Sequence, residues 1–210
     1  MNIDYSPLML NVGSGHHRIQ GWTNLDRSLE VKPDILFDLT DIPAKQIPLL
    51  SNSVDAFLCA HIMEHIPNIL PVMQELHRIA KPGAVMSIRV PYGGCDIAYE
   101  DPTHCRFFFE NSVFYFGQPA YARADYGYRG DWRELNRIIV LHPKVKKIFP
   151  KTPSAEDLME LVRSTRNMAT EIIFELEAVK PIRPTVGASE DAVNVSFAWD
   201  TNFKETCYDS

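Results

Sequence analysis

A succession of short apolar runs, each ending on glycine or an acid, constrains this chain more than any other feature. Leu8–Val12 runs into Gly13-Ser14-Gly15, Trp22–Leu25 into Asp26, and Asp34–Phe37 into Asp38. Two more runs follow, Val54–Cys59 and Ala84–Val90, the second closed by Pro91. Runs that are apolar throughout, rather than alternating, predict strands covered on both faces. Between the last two, Asn68–Ala80 sets Ile69, Leu70, Val72, Met73, Leu76, Ile79 and Ala80 at helical spacing for one buried face. Lys81-Pro82-Gly83 stops that helix. Strands with a helix between them predict an α/β fold built on a parallel sheet.

The second half reads differently. Arg106–Trp132 is crowded with Phe107, Phe108, Phe109, Phe114, Tyr115, Phe116, Tyr121, Tyr126, Tyr128 and Trp132. Leu135–Leu141 reads as a strand. Ala155–Ala169 reads as a helix with Leu158, Leu161, Val162 and Met168 apolar, and Glu171–Val179 as an alternating strand. A last strand is expected at Ala192–Ala198, within the polar stretch 181–210. At 210 residues one domain is expected, or one domain with an appendage. Its expected extent is 1–180, with an aromatic-rich insertion at 106–150 over the active site and 181–210 as a carboxyl-terminal strand and tail.

The net charge of −6 argues against a protein that grips nucleic acid, since such domains are usually basic. Cys59, Cys95, Cys105 and Cys207 form no CxxC pair and read as free thiols in a reducing compartment. Met1–Asn11 lacks the charged and apolar regions of a signal peptide, and no apolar run approaches the ~20 residues of a membrane span. The expectation is a cytoplasmic protein.

The strand ends carry the chemistry. Gly13 and Gly15 let the backbone approach a ligand at the carboxyl end of the sheet. Asp26 ends the next strand, where an acid accepts hydrogen bonds from ribose hydroxyls. Asp38 ends the third, placed for a base amine. With LNVGSG (Leu10–Gly15), GWTNLD (Gly21–Asp26), DLTDIP (Asp38–Pro43), SVDAFLCAHIMEHI (Ser53–Ile66), ELHRIAKPGAVMSIRVPY (Glu75–Tyr92) and DPTHCRFF (Asp101–Phe108) in that order, the chain resembles the class I S-adenosylmethionine-dependent methyltransferases, in the type 11 methyltransferase-domain group. The resemblance runs over Leu8–Phe116, about half the chain.

That resemblance implies a Rossmann-like three-layer sandwich, a mainly parallel seven-stranded sheet with helices on both faces. It implies the cofactor S-adenosyl-L-methionine and methyl transfer by in-line displacement. By position it gives the cofactor Asn11, Gly13, Gly15, Asp26, Asp38, Leu39, Ala60 and His61. Two departures stand out. Asn11 occupies a place often held by an acid and supplies no charge. The stretch from Gly15 to Trp22 is too short for a full first helix, so a loop must cover the cofactor there.

Asp101-Pro102-Thr103-His104 falls on the loop that faces the transferring methyl. His104 suits a general base oriented by Asp101, with Tyr92 lining the same cleft. A competing reading has Asp101 and Thr103 capping a following helix. His61-Ile62-Met63-Glu64-His65 also spells HxxEH, a mark of inverted zinc peptidases. Pro67, and the strand just before His61, leave no room for the continuous helix that chemistry needs, so no metal is expected. Arg123, Arg129, Arg133 and Arg137 alternate with Asp125, Asp131 and Glu134, as a self-paired face or as a lid for an anionic acceptor.

The activity this points to is O-methylation of a small, in one reading anionic, acceptor such as a sugar or glycan precursor. The expected partner is a small-molecule substrate, with no nucleic acid and no membrane span. The aromatic segment suits a homodimer surface as well as a lid. The alternative is a catalytically inactive cofactor-binding module or partner subunit of the same fold. A dinucleotide dehydrogenase is disfavoured, because no third glycine follows Gly13-Ser14-Gly15 at the required place.

Overall fold

The apolar runs are strands, and a computed structural model shows how they assemble; it describes residues 6–118, 125–149, 151–184 and 193–201. β1 (Met9–Val12), β2 (Thr23–Asp26), β3 (Ile35–Leu36), β4 (Val54–Ala60) and β5 (Ala80–Pro91) pair in parallel, in the spatial order β3-β2-β1-β4-β5. β6 (Trp132–Leu141), β7 (Ala169–Ala178) and β8 (Asn194–Trp199) continue the sheet as β7-β6-β8. β7 is antiparallel to both β5 and β6, and β8 runs parallel to β6. The described sheet therefore has eight strands rather than the seven expected. The eighth joins because β6 would otherwise present its polar backbone groups as an open edge.

α1 (Ile69–Ile79) crosses from β4 to β5 and buries Ile69, Val72, Met73, Leu76 and Ile79. It stops at Ala80, which turns extended and begins β5. α2 (Ile97–Glu100) and α3 (Val145–Ile148) are single turns. α4 (Ala155–Ser164) opens on a capping box, in which Ser154 and Asp157 satisfy each other's backbone N–H groups. It ends well before the expected Ala169. Asn167 takes φ 62°, donates its N–H to the Gly94 carbonyl and accepts from the Asp96 N–H. Met168 is buried as the lead-in to β7, a position that imitates helical spacing.

Where a first crossover helix would stand, between β1 and β2, the chain runs as a loop, as its length predicts. Polar side chains hold it. The Asn24 side-chain oxygen accepts the Ile19 N–H and an Asn11 amide N–H, and the other Asn11 N–H goes to the His17 carbonyl. Asp34 accepts from the backbone and side chain of Asn24 and from Arg18, which brings its pKa down to about 2.

Part of the aromatic segment is core. Trp132 is buried, donates its indole N–H to the Met73 carbonyl, and meets Phe57 and His77 edge-on. Phe108, Phe116 and Tyr128 are also buried, whereas Phe107, Phe109 and Tyr126 are exposed. Tyr121, Arg123 and Cys207 lie outside the described residues. Cys59, Cys95 and Cys105 are free thiols. No helix among the described residues is long and apolar enough to cross a membrane.

Candidate active site

Strand order reverses at β1. β2 and β3 lie to one side and β4 and β5 to the other. A crevice opens at such a switch point, outside the carboxyl ends of the strands. Gly13 turns the chain out of β1 at φ 67° and, with Ser14, donates its N–H to the Leu25 carbonyl. A Cβ on Gly13 would lie 2.6 Å from Cγ1 of Ile62, which follows β4. Glycine is required because Ile62 fills the space a side chain would take. Gly15 is the opposite case: at φ 47° nothing lies within 4 Å of where its Cβ would be.

The crevice is a groove of about 460 Å³ lined by Leu25, Asp26, Phe37, Asp38, Leu39 and Ile66, with Gly13, Arg27, Thr40, Ile62, His65 and Thr103. Asp26 ends β2 with one carboxylate oxygen on the Gly15 N–H and the other on the Ser28 N–H, each at 2.8 Å. Each oxygen keeps a lone pair for a further donor. Asp38 accepts from the N–H and hydroxyl of Thr40. Burial pushes its carboxyl up, but those hydrogen bonds, with Arg27 and Lys45 nearby, outweigh burial and hold it below the ordinary range. Two fixed acids beside apolar walls and an open glycine turn fit an adenosine with its ribose diol, so the residues present suit S-adenosylmethionine.

Asn11 does not line this groove. Its amide is spent on His17 and Asn24, so it shapes the loop over the groove. His61 is a second departure from expectation. Held at φ 53° with its N–H on the Arg89 carbonyl, it turns away from the groove into an adjoining cleft. There Nε2 lies 2.9 Å from Glu171 and Nδ1 3.4 Å from Glu64. These two carboxylates raise its pKa to about 9. Burial works against the Glu171 carboxylate, but hydrogen bonds from His61 and Arg89 keep it below its ordinary value. Ala60, the last residue of β4, pairs with Arg89 and lines neither space.

The adjoining cleft is lined by His61, Glu64, His65, Asp101, His104 and Glu171, with Glu100, Thr170 and Asp200 among its walls. It brings Asp101 and His104 together as the sequence suggested, though not as a hydrogen-bonded pair. Their closest approach, Nε2 to Oδ2, is 3.8 Å. His104 Nδ1 is instead 3.0 Å from the Ala98 carbonyl. Asp101 caps no helix, because none follows it. Its Oδ1 accepts the N–H and hydroxyl of Thr103, which lowers its pKa. Tyr92 is buried and lines a different space with Phe109 and Glu110. Burial, with Glu110 beside it, pushes its hydroxyl up to about 12.

Three of the four arginines proposed for a lid are described, and each is paired: Arg129 with Asp125, Arg133 with Glu177 and Arg137 with Glu134. The sequence reading missed Glu64 and Glu171. Glu171 is remote in sequence and arrives only through the antiparallel pairing of β7 with β5. Glu64 stands inside HxxEH, but its burial depends on how the cleft packs around it.

Residues 1–88 match the family model Methyltransf_11, described as a methyltransferase domain. No curated protein is significantly similar to the chain. Among solved structures, a S-adenosylmethionine-dependent methyltransferase from Archaeoglobus fulgidus superimposes with a TM-score of 0.54 at 13% identity, covering 81% of this chain and 86% of that one. The YcgJ protein of Bacillus subtilis gives 0.51 at 11% identity, covering 82% and 92%. A chain of the complex between the Haloferax volcanii Trm112 methyltransferase activator and a methyltransferase gives 0.50 at 14% identity, covering 85% of each. These likenesses establish the fold, and the family match establishes the type of domain. Residues 1–88 thus match a methyltransferase domain, and the chain carries it on the fold of the S-adenosylmethionine-dependent methyltransferases.

Proposed function

We propose that the protein methylates a hydroxyl oxygen of a small acceptor, such as a sugar or glycan precursor, seated in the cleft beside the cofactor groove. One observation carries this reading: His65 lines both spaces, so an acceptor among Asp101, His104 and Glu171 would adjoin a cofactor held by Asp26 and Asp38. Bound S-adenosylmethionine supplies a methyl group on a positively charged sulfur. The chain supplies position. Aligning acceptor and donor contributes ~7–11 kcal/mol to lowering the barrier of such a transfer.

Asp26 and Asp38 fix the nucleoside, and Ile62 and Ile66 wall the groove. His104 and Asp101 act on the acceptor hydroxyl, His104 with Nδ1–H on the Ala98 carbonyl and a lone pair on Nε2. Glu64, Glu100, Asp101, Glu171 and Asp200 all line this cleft, which favours a neutral polyol over an anionic acceptor. The pairing of Arg129, Arg133 and Arg137 supports the same choice.

Calorimetric titration with S-adenosylmethionine tests the cofactor half. Asp26→Ala is expected to weaken binding by ~1.5–3 kcal/mol, the range for hydrogen bonds to a charged group. His104→Ala is expected to bind the cofactor like wild type and to turn over at least tenfold more slowly with a hydroxylated acceptor. A protein that binds the cofactor yet methylates no hydroxylated acceptor would favour the inactive binding module instead.

A further inference from the structure

Glu64 is almost fully buried, at 1% exposure, and neither of its carboxylate oxygens has a hydrogen-bond partner. His61 lends it charge from 3.4 Å but no hydrogen bond. A buried carboxylate whose oxygens keep unfilled hydrogen-bonding capacity is costly, and beyond the His61 charge Glu64 has room for a further cationic partner such as a metal ion. Two histidines complete the setting. The ligating atoms of Glu64, His65 and His104 lie within 4.8 Å of one another.

Both imidazoles are fixed by their other nitrogen. His104 donates Nδ1–H to the Ala98 carbonyl at 3.0 Å. His65 Nδ1 lies 3.0 Å from the Thr103 hydroxyl, whose proton is committed to Asp101 at 2.6 Å. That hydroxyl can therefore only accept from His65. Both rings carry their free lone pair on Nε2, as the outer hydrogen bonds of metal-ligating histidines ensure. The two segments are also tied to each other: the N–H groups of Cys105 and Arg106 both donate to the Glu64 carbonyl, and Arg106 Nε donates to the Ile66 carbonyl at 2.7 Å.

We propose that Glu64, His65 and His104 form a binding site for one divalent transition-metal cation. The proposal deepens the methyl-transfer reading and, in its catalytic part, rests on it. Two imidazole nitrogens and one carboxylate oxygen suit zinc, manganese or cobalt and are poor ligands for calcium, which prefers an all-oxygen shell. Bonds of about 2.0–2.2 Å place tetrahedral ligand atoms about 3.3–3.6 Å apart, so the cation would draw these side chains in from separations of up to 4.8 Å. Three protein ligands leave coordination positions open towards the cleft, and the ion would offset its surplus of carboxylates.

The acceptor class follows from those open positions: a compound with two adjacent hydroxyl groups, which chelates the cation. One hydroxyl, acidified by the cation, releases its proton to solvent. Its oxygen then forms the new bond to the methyl carbon as the carbon–sulfur bond breaks, the sulfur keeping the electron pair. On this reading His104 acts on the acceptor through the cation and does not itself take the proton.

The test uses the full chain stripped with a chelator and then titrated with cobalt(II), zinc(II) and manganese(II). Saturable binding of one equivalent per chain is expected, with visible cobalt absorption bands and no sulfur-to-cobalt charge transfer. Glu64→Gln and His104→Gln should each weaken binding at least tenfold. Binding that survives both substitutions, or a sulfur charge-transfer band implicating Cys105, would overturn the assignment. Should either variant fail to fold, the wild-type cobalt spectrum and stoichiometry decide alone. Metal-free wild type titrated with S-adenosylmethionine separates the two claims. A chain that binds the cofactor and no cation refutes the metal site only; one that binds cobalt at this site but no cofactor refutes methyl transfer and leaves the site standing.

Discussion

Gly13 shows how a single position joins fold to function. Its φ of 67° is open to glycine and costly for alanine, and the space beside it already belongs to Ile62. Gly13→Ala is expected to cost about 1–3 kcal/mol of stability, the range for one strained backbone position. Urea denaturation measures that loss, and calorimetry with S-adenosylmethionine should show weaker binding in the same variant. Adding Ile62→Ala should return the steric part of the loss and leave the conformational part, so full recovery would show that φ strain contributes nothing. Gly13, Asp26 and Asp38 were legible because a residue type at a strand end has few uses. His61 was not. Its direction is set by a positive φ, and its partners Glu171 and Arg89 come from strands whose adjacency the local sequence does not encode. Glu64 could be read in HxxEH as a residue but not as a site, because its burial and its unfilled hydrogen-bonding capacity are properties of the packed cleft.

Between β1 and β2 an element is replaced by a hydrogen-bond network. Asn24 receives from Ile19 and Asn11, donates to the Trp22 carbonyl, and is itself held by Asp34. Asn24→Leu keeps the volume and removes every one of those side-chain contacts. It leaves the Ile19 N–H and the buried Asn11 amide short of an acceptor, at ~1–3 kcal/mol for each buried group. The variant should lose about 3 kcal/mol in urea denaturation. Amide exchange should accelerate across 13–22 more than in α1, and uniform acceleration would mean that the network does not act locally. α1 was readable from its apolar spacing; its end falls at Ala80, and the expected stop Lys81-Pro82-Gly83 lies within β5. The end of α4 was overrun because a strand that follows immediately supplies buried Met168 and Ala169 in helical phase. The break falls at Thr165, which turns extended, and the left-handed Asn167 follows it.

The sheet's order belongs to the whole molecule. The strands themselves follow from the apolar runs, but the placement of β7 between β5 and β6 depends on which edges remain open once β1–β5 have paired. That placement brings two histidines into opposed environments. His77, in α1, accepts burial among Trp132 and the strand ends, with Nε2 on the Val179 carbonyl and Lys180 near it. Burial lowers its pKa first, and Lys180 adds to that, against weaker upward pulls from Val179 and Asp131. The unfolded chain therefore takes up this proton more readily than the folded one. The contribution of His77 is full above its unfolded pKa of ~6.5 and is lost as pH falls below it. His61 has the opposite sign. Its folded pKa of about 9 means that its contribution is full below ~6.5 and is lost as pH rises towards 9. The thermal midpoint should accordingly peak near pH 6.5 and fall on both sides. Below about pH 4.5 the lowered carboxyls of Asp34, Asp38 and Glu171 steepen the acid limb. Above about pH 9 the buried Cys59 thiol, whose pKa burial raises, steepens the alkaline one. Thermal scans from pH 5 to about 9 on His77→Gln and His61→Gln separate the two histidines. His77→Gln should flatten the limb between pH 5 and ~6.5 and leave the other unchanged; His61→Gln should do the reverse. If both variants kept the wild-type profile, the pH dependence would have to come from groups outside the sheet's carboxyl edge and its α1 face.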